Sequence, residues 1–99
     1  MNSIHKPNES EARTYLPLIM KDLCNEHRKE AKYNRSTEFN IDEFRRKYYE
    51  SFNFHYFKNL LDRIAYLNNE FEINGNYIRL TDHGINNCRL YDHAFQHDF

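Results

Sequence analysis

The dipeptide Asn74-Gly75 lies between two short runs of alternating residues and constrains the fold more than any other feature. Asn-Gly is typical of two-residue hairpin loops, because type I′ turns need positive φ at both central positions. With this pair as the loop, Glu72 faces Tyr77 and Phe71 faces Ile78. The sequence therefore predicts an antiparallel hairpin with Glu72, Tyr77 and Arg79 on one face. Its other, apolar face carries Phe71, Ile73, Ile78 and Leu80.

Length and composition limit the chain to one small domain. It has 99 residues, of which 39% are apolar, and eight Phe and eight Tyr supply large side chains for a modest core. Basic and acidic residues nearly balance at 14 and 15, but residues 28–63 hold nine Lys or Arg against six Asp or Glu. The middle of the chain is therefore where we expect contact with an anionic partner.

The organisation of the chain is expected to be simple. Residues 1–9 are polar, include Pro7, and predict a flexible N-terminal arm, followed by a single domain over 10–99. No apolar run is long enough for a signal peptide, or for the roughly 18 residues that span a bilayer. We therefore expect a cytoplasmic protein without membrane contact. Cys24 and Cys88 are expected to be separate buried thiols in a reducing compartment.

Apolar residues at helical spacing predict a first helix that ends near Tyr33-Asn34. Thr14 is a suitable N-cap and leaves Pro17 in the first turn, where its missing N–H does no harm. A start near Ser10 is the alternative, and Pro17 would then produce a kink. The apolar stripe consists of Leu16, Ile19, Met20, Leu23, Cys24, His27 and Ala31.

Local capping signals predict two further helices. Asn40 stands three residues before Glu43, the capping-box spacing, and begins a short helix that ends by Tyr49. Its buried stripe is Ile41, Phe44 and Tyr48. Asn53 is the expected cap of the next helix, with Phe52 and Phe57 packed as a hydrophobic staple. Phe57, Leu61 and Ile64 face inward, His55, Asn59, Asp62 and Tyr66 face outward, and Asn68-Asn69 ends the helix.

A final helix is expected directly after the hairpin. Thr81 is its predicted cap, and Gly84 in its first turn permits close approach to a neighbouring element. The plausible buried stripe of this helix is Ile85, Cys88, Tyr91 and Phe95.

From Ile41 to Ile85 the chain resembles the winged helix-turn-helix superfamily. The matching segment is IDEFRRKYYESFNFHYFKNLLDRIAYLNNEFEINGNYIRLTDHGI, and its most specific element is the Leu-Thr-x-x-Gly ending at residues 80–84. Asn69 or Glu70 stands where the family often has Gly. The resemblance implies a mainly α fold with a small antiparallel β-hairpin (α+β), in the order helix, helix, helix, strand, strand, helix.

The resemblance also implies sequence-specific binding of double-stranded DNA by a small transcriptional regulator. The helix over about 53–68 would enter the major groove, and the hairpin, or wing, would touch the adjacent backbone. Asn59 suits an adenine edge, and Arg63 suits guanine or a phosphate. The basic residues of the second helix, Arg45, Arg46 and Lys47, with Arg79 on the wing, would hold the DNA backbone. The full set of candidate DNA contacts is Arg45, Arg46, Lys47, Asn53, His55, Tyr56, Lys58, Asn59, Arg63, Asn76 and Arg79.

Two observations favour an alternative, a winged helix that binds another protein within a larger assembly. Asp62 is unfavourable near phosphates, and the wing tip Asn-Gly-Asn carries no charge. The aromatic side chains Tyr56 and Tyr66 would then form the contact. In either case we expect a homodimer held by the first and last helices. The alternative is a monomer whose core the terminal aromatics complete.

The sequence gives weaker indications of catalysis or metal binding than of DNA binding. No Gly-rich phosphate loop, nucleophile elbow or paired-carboxylate arrangement is present, so we expect no enzyme activity and no cofactor. His93 and His97 are four residues apart and would share a helix face, but further ligands would have to come from elsewhere. We therefore predict no metal site, and His27 is expected to be a satisfied core or interface residue.

Overall fold

The structure is a computed structural model that describes residues 6–33 and 37–92. The helices are α1 (Glu9–Lys32), α2 (Ile41–Tyr48), α3 (Phe54–Asn68) and α4 (Asp82–Asn86), followed by a 3₁₀ helix, Cys88–Tyr91. The strands are β1 (Phe39–Asn40), β2 (Phe71–Asn74) and β3 (Tyr77–Leu80). They form one antiparallel sheet in the order β1-β3-β2. The predicted α+β class, mainly helical with a small antiparallel sheet, is confirmed.

Helix α1 begins earlier than the preferred prediction. Its cap is Asn8, whose Oδ1 accepts from the Glu11 N–H at 2.8 Å while its own N–H donates to Glu11 Oε1 at 2.9 Å. The assignment of Thr14 as the cap is therefore wrong, and the alternative start near Ser10 is close to the observed one. Pro17 lies inside the helix. Asn8-x-x-Glu11 is itself a capping-box spacing, which outweighs the preference of Pro17 for a first turn.

The two predicted caps of α2 and α3 are confirmed. Asn40 Oδ1 accepts from the Glu43 N–H at 3.0 Å, and Asn53 Oδ1 accepts from the His55 N–H at 2.8 Å. Asn69, with φ of 56°, ends α3 in the left-handed conformation that was expected of it. These termini depend on residues adjacent in sequence, which is why sequence patterns identify them correctly.

The hairpin forms, but its loop lies one residue later than predicted, which shifts the strand pairing by two residues. The loop is Gly75-Asn76, so that Asn74 pairs with Tyr77 and Phe71 with Leu80. Gly75 has φ of 60° and Asn76 does not have positive φ, the combination found in type II′ turns. The two faces are as predicted, because the observed register keeps the same residues together.

Strand β1 was not predicted, since the segment before α2 has only polar-loop character in the sequence. Phe39 pairs with Ile78 and Asn40 with Tyr77, and the Ile41 N–H donates to the Asn76 carbonyl at 2.8 Å. This short strand joins the start of α2 to the wing. Two residues are too few to show the alternation that marks a strand.

The core lies between α1, α3 and the apolar face of the sheet. Phe57, Leu61 and Ile64 of α3 are all fully buried, as predicted from their spacing. Of the predicted α1 stripe, the residues from Leu16 to Cys24 are buried, whereas His27 is half-buried and Ala31 is exposed. The remaining core residues are Ala12, Ile41, Phe44, Leu60, Phe71, Ile78, Leu80 and Cys88.

Cys24 and Cys88 form a disulfide, which corrects the expectation of two separate thiols. Their Cα atoms are 5.7 Å apart, within the usual range for a disulfide, and the bond links α1 to the 3₁₀ helix across 64 residues. Sequence spacing did not reveal the pairing, because only the packing of the last segment on α1 brings the two residues together. Cys24 and Cys88 therefore give no indication of a reducing compartment.

Helix α4 packs closely on Glu70, in the connection between α3 and β2. Thr81 caps it as predicted, with its Oγ1 accepting from the Gly84 N–H at 3.1 Å. A Cβ at Gly84 would lie 1.9 Å from the carbonyl oxygen of Glu70, so only glycine fits at this position. The buried Glu70 carboxylate accepts hydrogen bonds from Tyr91 at 2.8 and 2.9 Å and from Asn87 at 2.8 Å. These contacts hold the last segment against the junction of α3 and β2.

Candidate nucleic-acid interface

The outward face of α3 is the largest group of predicted site residues that the structure brings together. His55 and Arg63 are exposed, so neither is covered by the protein's own chain, whereas Asn59 is half-buried and therefore partly covered. Asp62 is also exposed, and Tyr66 is 85% exposed. Among the described residues, neither Lys58 nor Arg63 has a hydrogen bond or an ion pair. This face therefore offers two unpaired cations and an amide to a ligand.

Arg45 stabilises the turn between α2 and α3 rather than facing outward. Its side chain is 16% exposed and is paired with Asp42 at 2.9 Å. Its guanidinium also donates to the carbonyl oxygens of Glu50 at 3.2 Å and Phe52 at 2.9 Å. Because its donors are used inside the protein, Arg45 is not available to hold a DNA backbone. Five donors in a fixed planar group make arginine well suited to such a turn.

Lys47 connects α2 to α1 through a carboxylate with little exposure. Its Nζ lies 2.7 Å from Glu26 Oε2, and the Tyr48 hydroxyl donates to the same oxygen. Burial raises the pKa of Glu26, but the hydrogen bonds from Lys47 and Tyr48 outweigh it and hold that pKa below its usual value. The hydrogen bond to Glu26 raises the pKa of Lys47, so this ammonium stays charged but is partnered. This contact has no local sequence signal, because Glu26 lies 21 residues before Lys47 on another helix.

Arg46 is the most available cation on α2. It is 60% exposed and has a long contact of 3.4 Å with Asp42. An exposed pair at this distance contributes little and is easily exchanged for another anion. Of the three basic residues predicted to hold a DNA backbone from α2, Arg46 is therefore the one that remains free to do so.

Asn53 and Tyr56, at the start of α3, are engaged in structural contacts. The Asn53 side chain caps the helix, and the Tyr56 hydroxyl donates to Glu11 Oε2 at 3.1 Å. Burial and this hydrogen bond raise the pKa of Tyr56 to about 12. The contact fixes the beginning of α1 against the beginning of α3. Both side chains therefore position α3 and offer little to a ligand.

The wing contributes one cleft and one paired cation. Arg79 Nε lies 2.8 Å from Glu72 Oε2 across the hairpin, and both side chains are about half exposed. Asn76, at the tip, lines a cleft of about 420 Å³ together with Phe54 at the start of α3. The wing tip thus lies beside the N-terminal end of α3. Asn40, Asp42 and Arg45 complete this cleft.

A second groove, of about 290 Å³, lies along the outward face of α3 and was not predicted. One of its walls is formed by Lys6 and Pro7, which precede α1. The other wall consists of Asn59, Asp62, Arg63 and Tyr66. Lys6 was assigned to a loose arm in the sequence, and no local pattern places that arm beside α3.

The structure gives no support to a metal site in the part of the chain that it describes. His93 and His97 lie outside the described residues, so the structure does not test whether they share a helix face. Within residues 6–33 and 37–92, no group of three His, Cys, Asp or Glu side chains is arranged to hold a metal ion. The Nδ1 atom of His27 is buried without a hydrogen-bond partner there, contrary to the expectation of a satisfied histidine.

No known protein family, curated protein or solved structure matches the chain. Its function is therefore inferred from the contacts, charges and exposure of its own residues. No helix within the described ranges has both the length and the apolar character needed to cross a membrane.

Proposed function

We propose that the chain binds double-stranded DNA in a sequence-specific manner, as a small transcriptional regulator with α3 in the major groove. The observation that carries this proposal is the division of α3 into two faces. Phe57, Leu61 and Ile64 are fully buried, while His55 and Arg63 on the opposite side are exposed. A hairpin follows α3 directly, as in the winged helix-turn-helix superfamily that the sequence resembles.

The dimensions of α3 suit this role. Its 15 residues give a length of roughly 22 Å, and a B-DNA major groove about 12 Å wide admits one helix. Asn59 and Arg63 are one turn apart and lie on the same side. An asparagine side chain can pair with adenine N6 and N7, and an arginine with guanine O6 and N7. The proposed base contacts are therefore made by Asn59, with His55 near the start of the helix, and Arg63 contacts a guanine or the adjacent phosphate.

The proposed backbone contacts are fewer than the sequence indicated. Lys58 on α3 and Arg46 on α2 are available for phosphates, and the polar Asn76 is placed at the wing tip. Lys47 and Arg79 would first have to leave Glu26 and Glu72. Asp62, exposed among the α3 cations, opposes a phosphate nearby. We therefore expect moderate affinity that depends strongly on salt.

Dimerisation and location belong to the same proposal. The apolar stripe of α1 is used in the protein's own core, so a two-fold contact would use exposed residues of the last segment, such as Leu90 at 70% and Ile85 at 38% exposure. Two subunits would place two copies of α3 on half-sites about one helical turn apart.

A cytoplasmic location gives access to DNA, although the Cys24–Cys88 disulfide is unusual for a reducing compartment.

A protein-binding winged helix is the second candidate, and one observation favours it. Tyr66 is the most exposed of the large hydrophobic residues in the described chain, at 85%. Tyrosine is enriched where proteins meet, because its ring is apolar and its hydroxyl remains hydrated. In this alternative Tyr66 would be the anchor, and the neighbouring cations would serve only solubility.

The variant Lys58→Gln/Arg63→Gln separates the two candidates. If Lys58 and Arg63 both contact phosphates, loss of the two contacts should lower the slope of log K against log salt by about 1.8 and weaken binding roughly 60-fold at 0.1 M salt. If Arg63 contacts guanine instead, the slope should fall by about 0.9, for the one phosphate contact of Lys58. Neither side chain has a partner among the described residues, so the thermal midpoint should not change. Fluorescence anisotropy with a labelled duplex, repeated over a range of salt concentrations, gives both quantities.

The matched control is Tyr66→Ala in the same assay. DNA binding through the cations predicts that this variant retains the wild-type salt slope. If instead wild-type protein shows no binding to duplex DNA at low salt, the DNA proposal is wrong and the protein-binding candidate is favoured.

A further inference from the structure

The segment before α1 is fixed against the outward face of α3. Pro7 is buried, and Asn8 caps α1 in a reciprocal pair of hydrogen bonds with Glu11. Glu11 also accepts from the Tyr56 hydroxyl on α3, at 3.1 Å. The Glu11 carboxylate thus links the Asn8 cap of α1 to α3. Lys6 lies two residues before this cap. The position of Lys6 therefore follows from the packing of α1 and α3.

Lys6 and Arg63 lie on opposite walls of the same groove. Both are exposed, and among the described residues neither has a hydrogen bond or an ion pair. Asp62 is the one acidic residue in the lining, so the two cations leave a positive excess. The remaining lining groups are Asn59 and Tyr66, which donate hydrogen bonds, and Pro7. The charge and the donors of this groove complement a phosphodiester.

We propose that the groove between Lys6 and α3 takes the sugar–phosphate backbone at the edge of the α3 contact, with the Lys6 ammonium bound to one phosphate. This inference rests on the proposed DNA binding by α3 and adds the N-terminal segment to that interface. Lysine suits the role because its ammonium is a compact charge with three donors. The N-terminal segment thereby supplies a backbone contact of the kind that the uncharged wing tip lacks.

The test compares Lys6→Gln with a matched control, Lys32→Gln, in the full chain. Lys32 is also an exposed lysine, but it lies at the far end of α1, a helix of 24 residues that begins three residues after Lys6. At 24 residues and 1.5 Å per residue, α1 separates the two positions by roughly 36 Å. Both variants lose the same charge, so general electrostatic attraction is matched between them.

Binding of a labelled random-sequence duplex is measured at several salt concentrations. Loss of one phosphate contact in Lys6→Gln should lower the salt slope by about 0.9 and weaken binding about eightfold at 0.1 M salt, relative to Lys32→Gln. Lys6→Arg should retain the slope. Asp62→Asn, which removes the acidic group of the groove, should strengthen binding.

The possible failures are distinct. Equal slopes for Lys6→Gln and Lys32→Gln, with wild-type binding intact, would overturn the role of the groove and leave DNA binding by α3 standing. Weaker binding of Asp62→Asn would also contradict a phosphate in the groove. Absence of salt-dependent binding by the wild-type chain would overturn the proposed function and this inference together.

Discussion

A variant in which Cys24 and Cys88 are both alanine is expected to lose about 4 kcal/mol of unfolding free energy. The disulfide closes a loop with a sequence separation of 64, and a cross-link of that length removes much of the conformational freedom of the unfolded chain. Both sulfur atoms lie in the core, so the cavity left by alanine adds to the loss. Urea denaturation of the oxidised wild type and of the double variant measures this difference.

Reduction of the wild-type protein provides the control without any change of sequence. Wild-type protein in reductant should lose a similar amount of stability, whereas the double variant should be insensitive to reductant. Mass spectrometry after thiol alkylation reports whether the two cysteines are paired before the experiment. Two alkylated thiols in native protein purified without reductant, or equal stability with and without reductant, would contradict a structural disulfide.

Replacement of Gly84 by alanine is expected to cost about 3 kcal/mol, the magnitude of a severe overpacking change. The new Cβ would meet the carbonyl oxygen of Glu70 at 1.9 Å. That oxygen cannot move freely, because it accepts from the Thr81 N–H at 3.0 Å. The Glu70 side chain is held in turn by Tyr91 and Asn87, so α4 would have to separate from the end of α3.

Gly75→Ala is the matched comparison, because it adds the same methyl group but destabilises the protein for a different physical reason. No atom lies within 4 Å of a Cβ at Gly75, but its φ of 60° disfavours any other residue by about 1 kcal/mol. The stability of Gly84→Ala, measured by thermal or urea unfolding, should therefore be well below that of Gly75→Ala. The reverse order would show that α4 is not packed against Glu70 as described.

The parts of the fold that were predicted correctly depend on neighbouring residues. The caps Asn40 and Asn53, the left-handed Asn69 and the buried stripe of α3 each follow from a pattern a few residues long. The two faces of the hairpin were also predicted, because the observed pairing differs from the predicted one by two residues and therefore keeps the same side chains together. Local chemistry of this kind is visible in a single sequence.

The features that were missed depend on distant contacts or on small energy differences. The hairpin loop moved to Gly75-Asn76, a register that pairs Glu72 with Arg79 at 2.8 Å. The disulfide depends on packing across 64 residues. In the candidate interface, Arg45 and Lys47 have the same sequence character as free surface cations, and only the fold shows their internal partners. The position of Lys6 beside α3 likewise depends on tertiary packing.

The most direct test of DNA binding through α3 is a nuclear magnetic resonance titration of isotope-labelled protein with a duplex. The amide signals of His55, Lys58, Asn59 and Arg63 should shift most. Amides lining the cleft between α1, β1 and α2, such as those of Glu26 and Phe39, should stay unchanged. Shifts concentrated at that cleft, with α3 unaffected, would contradict the account.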